Sequence, residues 1–208
     1  MDARHDPSPL ALPLPPESAA SRRRQVGSLE LRDAAVQRFN ELLSHIAPDA
    51  PSVSADQLVT LARWLQDQPP ERAVAILSER LARAEHLRRM LEDGDWDVGV
   101  DTRERARLLI GYLYQVDDLI PDSQPLVGHL DDALLVELAW PAFADETLDY
   151  GDFCRFRASE RPRGTPRERR LAWETACLAE VALIQQRRQV RARHYVGGEP
   201  LQALFRVG

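Results

Sequence analysis

The sequence predicts an all-α protein, a single-domain helical bundle of about six helices behind a disordered N-terminal tail. Three observations carry that prediction. Apolar residues recur at three- and four-residue spacing through most of the chain after residue 28, and no stretch sustains β-type alternation. The composition is 44% hydrophobic and 29% charged, with 15 Pro and only 10 Gly in 208 residues, a balance that suits helical globular proteins. That length gives room for one sizeable core plus a tail.

Residues 1–27 form the expected tail. They carry Pro7, Pro9, Pro13, Pro15 and Pro16 and end near Arg22-Arg23-Arg24, so they bury too little apolar surface to offset their ordering entropy. The same prolines interrupt any hydrophobic segment of signal-peptide type. The helical domain then spans 28–208. Ser28 reads as the N-cap of a first helix carrying Leu31, Ala35, Phe39, Leu42, Leu43 and Ile46, which ends at Pro48. Ser54 opens a second helix with Gln57 completing a capping box, and Pro69-Pro70 stops it. A third runs from Glu71 to about Glu92 with Val74, Leu77, Leu81, Ala84 and Leu87 along one face. A fourth runs from about Thr102 to Gln115, capped by Asp101 and Glu104, and a fifth from about Pro125 to Trp140. The last begins near Thr165, sets Trp173, Cys177, Val181 and Ile184 on one face, and crowds Arg187, Arg188, Arg191 and Arg193 toward its end, where the helix dipole favours cations.

Charge is distributed unevenly. All 27 basic residues are Arg; residues 25–150 hold 11 Arg against 24 acids, net -13, whereas 151–208 hold 12 Arg against 6 acids, net +6. The basic part is expected to meet something negative, foremost the chain's own acidic middle and otherwise a nucleic acid or a lipid surface. The longest apolar runs fall well short of the ~20 residues of a spanning helix. Cys154 and Cys177 are too few for a disulfide framework or a thiolate zinc site, which points to a reducing, cytoplasmic compartment, with peripheral membrane contact left open.

Residues 106–140, ARLLIGYLYQVDDLIPDSQPLVGHLDDALLVELAW, bring chemistry-bearing groups together. At 100° per residue on the fifth helix, His129, Asp132 and Glu137 share one polar arc, whereas Asp131 falls between Leu138 and Leu135 and points inward. A buried carboxylate needs partners. The candidates are backbone N–H groups of the turn at 118–122, the Tyr112 or Tyr114 hydroxyl, an Arg of the fourth helix, or a cation shared with Asp118 and Asp122. Two readings follow: the aspartates cap the turn and tie the hairpin, or Asp118, Asp122, Asp131 and Asp132 converge on Mg²⁺ or Ca²⁺. Tyr114, Asp118, Ile120, Pro121, Asp122, Gly128, Asp131 and Asp132 together resemble the YkvA-like domain, a short family of unknown function with an Asp-x-Ile-Pro-Asp turn followed by Gly-x-x-Asp-Asp. Val116 stands where that family usually has Pro. The resemblance implies a helical hairpin and names no reaction.

A second acidic cluster lies between the third and fourth helices. Asp93, Asp95, Asp97, Asp101 and Glu104 match the first, third, fifth, ninth and twelfth positions of an EF-hand loop, and Val100 the apolar eighth. Val98 takes the sixth position, where Gly is needed for the sharp turn. This makes the loop a weaker metal candidate than the hairpin. No nucleophile triad or Gly-rich phosphate loop is visible, and His45, His86, His129 and His194 are scattered. No catalytic residue is assigned. The leading expectation is a non-enzymatic scaffold or interaction module with a protein partner. The alternatives are a divalent-cation-dependent enzyme or sensor at the hairpin, and anion binding to a membrane surface or nucleic acid through Arg187, Arg188, Arg191 and Arg193.

Overall fold

A computed structural model describes residues 24–26, 29–115, 119–121 and 123–195. The all-α expectation holds, with seven α-helices among these residues and one minimal two-stranded ribbon. The chain separates into two compact units, one ending at Gly151 and the other beginning at Asp152.

The first unit opens with β1 (Gln25–Val26) paired antiparallel to β2 (Leu29–Glu30). Residues 25 and 26 were expected in the tail but pair in this ribbon, and Arg24 beside them meets Asp33 at 2.8 Å. The rest of the expected tail, residues 1–23 and 27, and the Ser28 cap lie outside the described residues. The first helix, α1 (Asp33–Ile46), starts four residues later than a Ser28 cap implies, after Arg32. Leu31 is buried ahead of it, and Val36, Phe39, Leu43 and Ile46 form its inner face.

α2 (Ala55–Gln66) has the capping box the sequence shows: Gln57 N–H donates to Ser54 Oγ at 3.3 Å, and Ser54 N–H donates to Gln57 Oε1 at 2.9 Å. The loop before it is pinned to α1 by Asn40, whose amide donates to Val53 O and accepts from Val53 N–H, both at 2.8 Å. α3 (Pro70–Glu92) places Pro at its first position, where no intrahelical N–H is needed. Its inner face is Ala73, Ile76, Leu77, Arg80, Ala84, Leu87 and Met90, whereas Val74 is exposed. The expected stripe was rotated, because Arg80 sits in the buried row and a charged residue there hides the true face from a hydropathy reading. Arg80 is held by Ile76 O at 3.1 Å, Glu79 at 3.2 Å and Glu137 at 3.0 Å, and Glu137 also takes Arg83 at 3.1 Å.

α4 (Val100–Leu113) is preceded by Gly99, and no side chain caps it. Asp101 and Glu104 thus lie within its first turns and form no capping box, a correction of the expectation; acidic groups there still complement the N-terminal dipole. α5 (Leu130–Ala139) begins five residues after Pro125, since Leu126 takes a left-handed φ of 66° that no α-helix accommodates. It packs against α1, α3 and α4 and is the centre of this unit, with Leu130 to Val136 and Ala139 all buried.

A single 3-10 turn at Trp140–Ala142 leads into α6 (Ala144–Glu160), a helix absent from the expected set. Its sequence interleaves acids and aromatics around Gly151, so no apolar stripe announces it. The division between the units falls inside this helix. The second unit continues through α7 (Pro166–Tyr195), where Thr165 and Glu168 cap reciprocally: Glu168 N–H donates to Thr165 Oγ1 at 3.3 Å and Thr165 N–H to Glu168 Oε2 at 2.7 Å. Phe153 and Trp173 meet edge-on at 6.0 Å, and Trp173 Nε1 donates to Asp152 at 3.1 Å.

Candidate functional site

The buried carboxylate predicted in the hairpin is present. Asp131 is fully buried in the first turn of α5. One of its oxygens accepts from the Tyr112 hydroxyl at 2.7 Å, from Leu119 N–H at 3.0 Å and from Ile120 N–H at 3.1 Å. Two of the expected partner types are therefore realised, the turn's backbone donors and a tyrosine hydroxyl. The tyrosine is Tyr112; Tyr114, one residue past the end of α4, is exposed. Tyr112 is fixed from its other side by an edge-on contact with Phe39 at 5.9 Å. Three donors converging on one carboxylate oxygen offset its desolvation and lock three chain segments, the end of α4, the turn and the start of α5.

Asp132 differs from expectation. Its helical angle sets it on one polar arc with His129 and Glu137, yet it is buried, because α5 packs against α1, α3 and α4. Its carboxylate lies 3.2 Å from His129 Nδ1, with the imidazole itself half exposed at the cap position of α5. Glu137 is spent on Arg80 and Arg83. Asp118 and Asp122 lie outside the described residues. Beside Tyr112 a cavity of about 250 Å³ opens between α1 and α4, lined among others by Arg38, Phe39, Gln115 and Leu119.

The EF-hand-like loop is organised around apolar and aromatic anchors rather than around its acids. Trp96 and Val98 are buried, and Trp96 Nε1 donates to Glu146 at 2.8 Å. Asp93 caps α3, accepts from Asp95 N–H at 2.9 Å and from the Tyr150 hydroxyl at 3.1 Å. Asp97 is turned outward with Arg103 at 3.7 Å, and Asp101 and Glu104 are exposed on α4. The five acids are thus not brought to one point. Among the described residues, no group of three or more His, Cys, Asp or Glu side chains is placed to hold a metal ion.

The basic cluster lies on the last turns of α7. Arg187, Arg188 and Arg191 are exposed, while the Arg193 side chain lies outside the described residues. Sequence reasoning missed the exposure of the apolar residues just before them. Trp173 is buried, and the Cys177 thiol approaches Asp152 at 3.8 Å, but every side chain from Leu178 to Arg191 is exposed. The signal was present in residues 176–184, where Glu180 is the one polar residue in nine. A helix apolar around its circumference is normally enclosed by other elements.

Among the described residues, no helix is long and apolar enough to cross a membrane. Comparison with protein-family models, with curated proteins and with solved structures gave no match.

Proposed function

We propose that this protein is a non-enzymatic helical interaction module whose docking element is α7. One observation carries the reading: Leu178, Val181 and Ile184 are 72%, 51% and 41% exposed on a helix segment that has almost no polar residues. Contiguous exposed apolar surface is costly in water and marks protein contact sites. The partner is a protein, and the compartment a reducing one, in keeping with a chain that has only the two cysteines Cys154 and Cys177. Residues 106–140 serve as the structural hairpin of a YkvA-like domain, and the support is the role of Asp131, which satisfies the turn's amides instead of facing solvent.

The test is a photo-crosslinking amino acid placed at Val181 of the full chain in the cells that make it, with Glu71 on α3 as an exposed control. A discrete adduct from position 181 and none from 71 is the expected result. Absence of any adduct at 181 and at 184, with helix content unchanged by circular dichroism, rejects α7 as a docking element.

A further inference from the structure

Trp173 and Cys177 turn toward α6, where Asp152 and Phe153 receive them. About 120° around the helix from that pair runs a second row, Ala172, Ala176, Ala179, Leu183, Gln186 and Val190. Its spacing of four, three, four, three and four residues is that of a coiled-coil seam. Among the described residues nothing covers its later part: Ala176, Ala179 and Gln186 are exposed, and Leu183 and Val190 are 46% and 48% exposed. Small residues in the first half let a facing helix approach closely, and larger ones in the second half fill the space opposite them.

Two charged residues flank the row on one side at equivalent positions one heptad apart, Glu180 and Arg187. If α7 pairs with a parallel copy, Glu180 faces Thr175 and Arg187 faces Ala182, and neither charge is answered. In an antiparallel pair with the twofold axis between Leu183 and Gln186, the layers become Ala179 against the partner's Val190 and Leu183 against the partner's Gln186. Each Glu180 then meets the partner's Arg187, at both ends of the seam. The antiparallel arrangement also sets residues 176–182, which hold Glu180 and no Arg, opposite the partner's Arg-rich stretch 187–193, which would repel itself in a parallel pair.

Going beyond the interaction reading, which is carried by Leu178, Val181 and Ile184 on the opposite side of the helix, we infer that this row of α7 pairs with a second copy of this chain, as an antiparallel two-helix seam registered by reciprocal Glu180–Arg187 pairs. The seam is short, so the dimer is a weak one that forms at high chain concentration.

Sedimentation equilibrium of the full chain, from about 1 to 100 µM, tests this together with the variants E180R, R187E and E180R/R187E. The wild-type chain is expected to dimerise within that range. Each single reversal turns two attractions into two repulsions and should weaken dimerisation on the order of tenfold, and the double reversal, which restores both pairs, should return it to near the wild-type value. L183D should abolish it with helix content intact. A monomeric wild-type chain overturns the inference, and so does a dimer indifferent to E180R and R187E. If the chain is monomeric and the crosslinker at Val181 still traps a protein of another mass, the interaction reading survives and the self-pairing does not. A dimer that follows the charge reversals, with no adduct at Val181, keeps the self-pairing and removes the interaction reading.

Discussion

At the scale of single residues, Asp131 shows what a buried charge does in this protein. Its carboxylate is placed where solvent cannot reach it and is stabilised by donors from segments distant in sequence. Tyr112→Phe removes one of these donors while keeping the ring against Phe39. It should cost about 1–2 kcal/mol in chemical denaturation. Asp131→Ala leaves the Leu119 and Ile120 amides without their acceptor and should cost about 3 kcal/mol or more, which separates the role of the carboxylate from that of the phenol. Asp152 offers a titration. The hydrogen bond from Trp173 Nε1, reinforced by Arg155 and the Cys177 thiol, holds its carboxyl below the ordinary aspartate range. A carboxyl depressed in the folded state stabilises above its unfolded pKa and loses that contribution as pH falls through its folded value. Thermal melts below about pH 4 should therefore show an acid-dependent loss that is reduced in Asp152→Asn, and a profile identical in the two proteins rejects the assignment. His129 and Asp132 were legible as neighbours from their spacing, but the burial of Asp132 was not, because helical angle locates a residue on its own helix and says nothing of what surrounds that helix.

At the scale of elements, local chemistry and tertiary context divide the work. The Ser54–Gln57 box was readable from four residues because both of its hydrogen bonds are local. Ser54→Ala should cost about 1 kcal/mol, measurable as a lowered melting temperature. The Asp101–Glu104 pair has the same spacing but is no cap, since the chain enters α4 earlier, at Gly99, so that Trp96 and Val98 can be buried. α6 was missed because its stabilisation is tertiary, with Tyr150 bonded to Asp93 and Glu146 to Trp96. The face of α3 was misread because Arg80 occupies a core position and is neutralised by Glu137, a residue 57 positions away. Glu137→Gln removes that charge and should destabilise by about 1–3 kcal/mol, with Glu79 retaining part of the pairing. An unchanged denaturation midpoint would show that Glu79 alone satisfies Arg80.

At the scale of the whole molecule, the two units differ in how their apolar residues are used. In the first, α5 is enclosed by α1, α3 and α4, whereas the second ends in a helix of about 45 Å whose later half has no described cover. The same kind of substitution should therefore have unequal effects. Leu135→Ala, in the fully buried centre of α5, should cost about 2–5 kcal/mol, whereas Ile184→Ala on α7 should change the stability of the dilute chain by less than about 0.5 kcal/mol. Comparable losses at both positions would mean that α7 is covered in solution. The sequence by itself determined the helical class, most helix positions, the cap of α2 and the inward direction of Asp131, because periodicity and capping act over a few residues. Only the tertiary structure decided that Asp132 is buried, that Arg80 belongs to the core, that the acidic loop is anchored by Trp96 and that the apolar face of α7 is open. Each of these depends on which elements meet, and contacts between residues far apart in the chain leave no periodic trace in either segment alone.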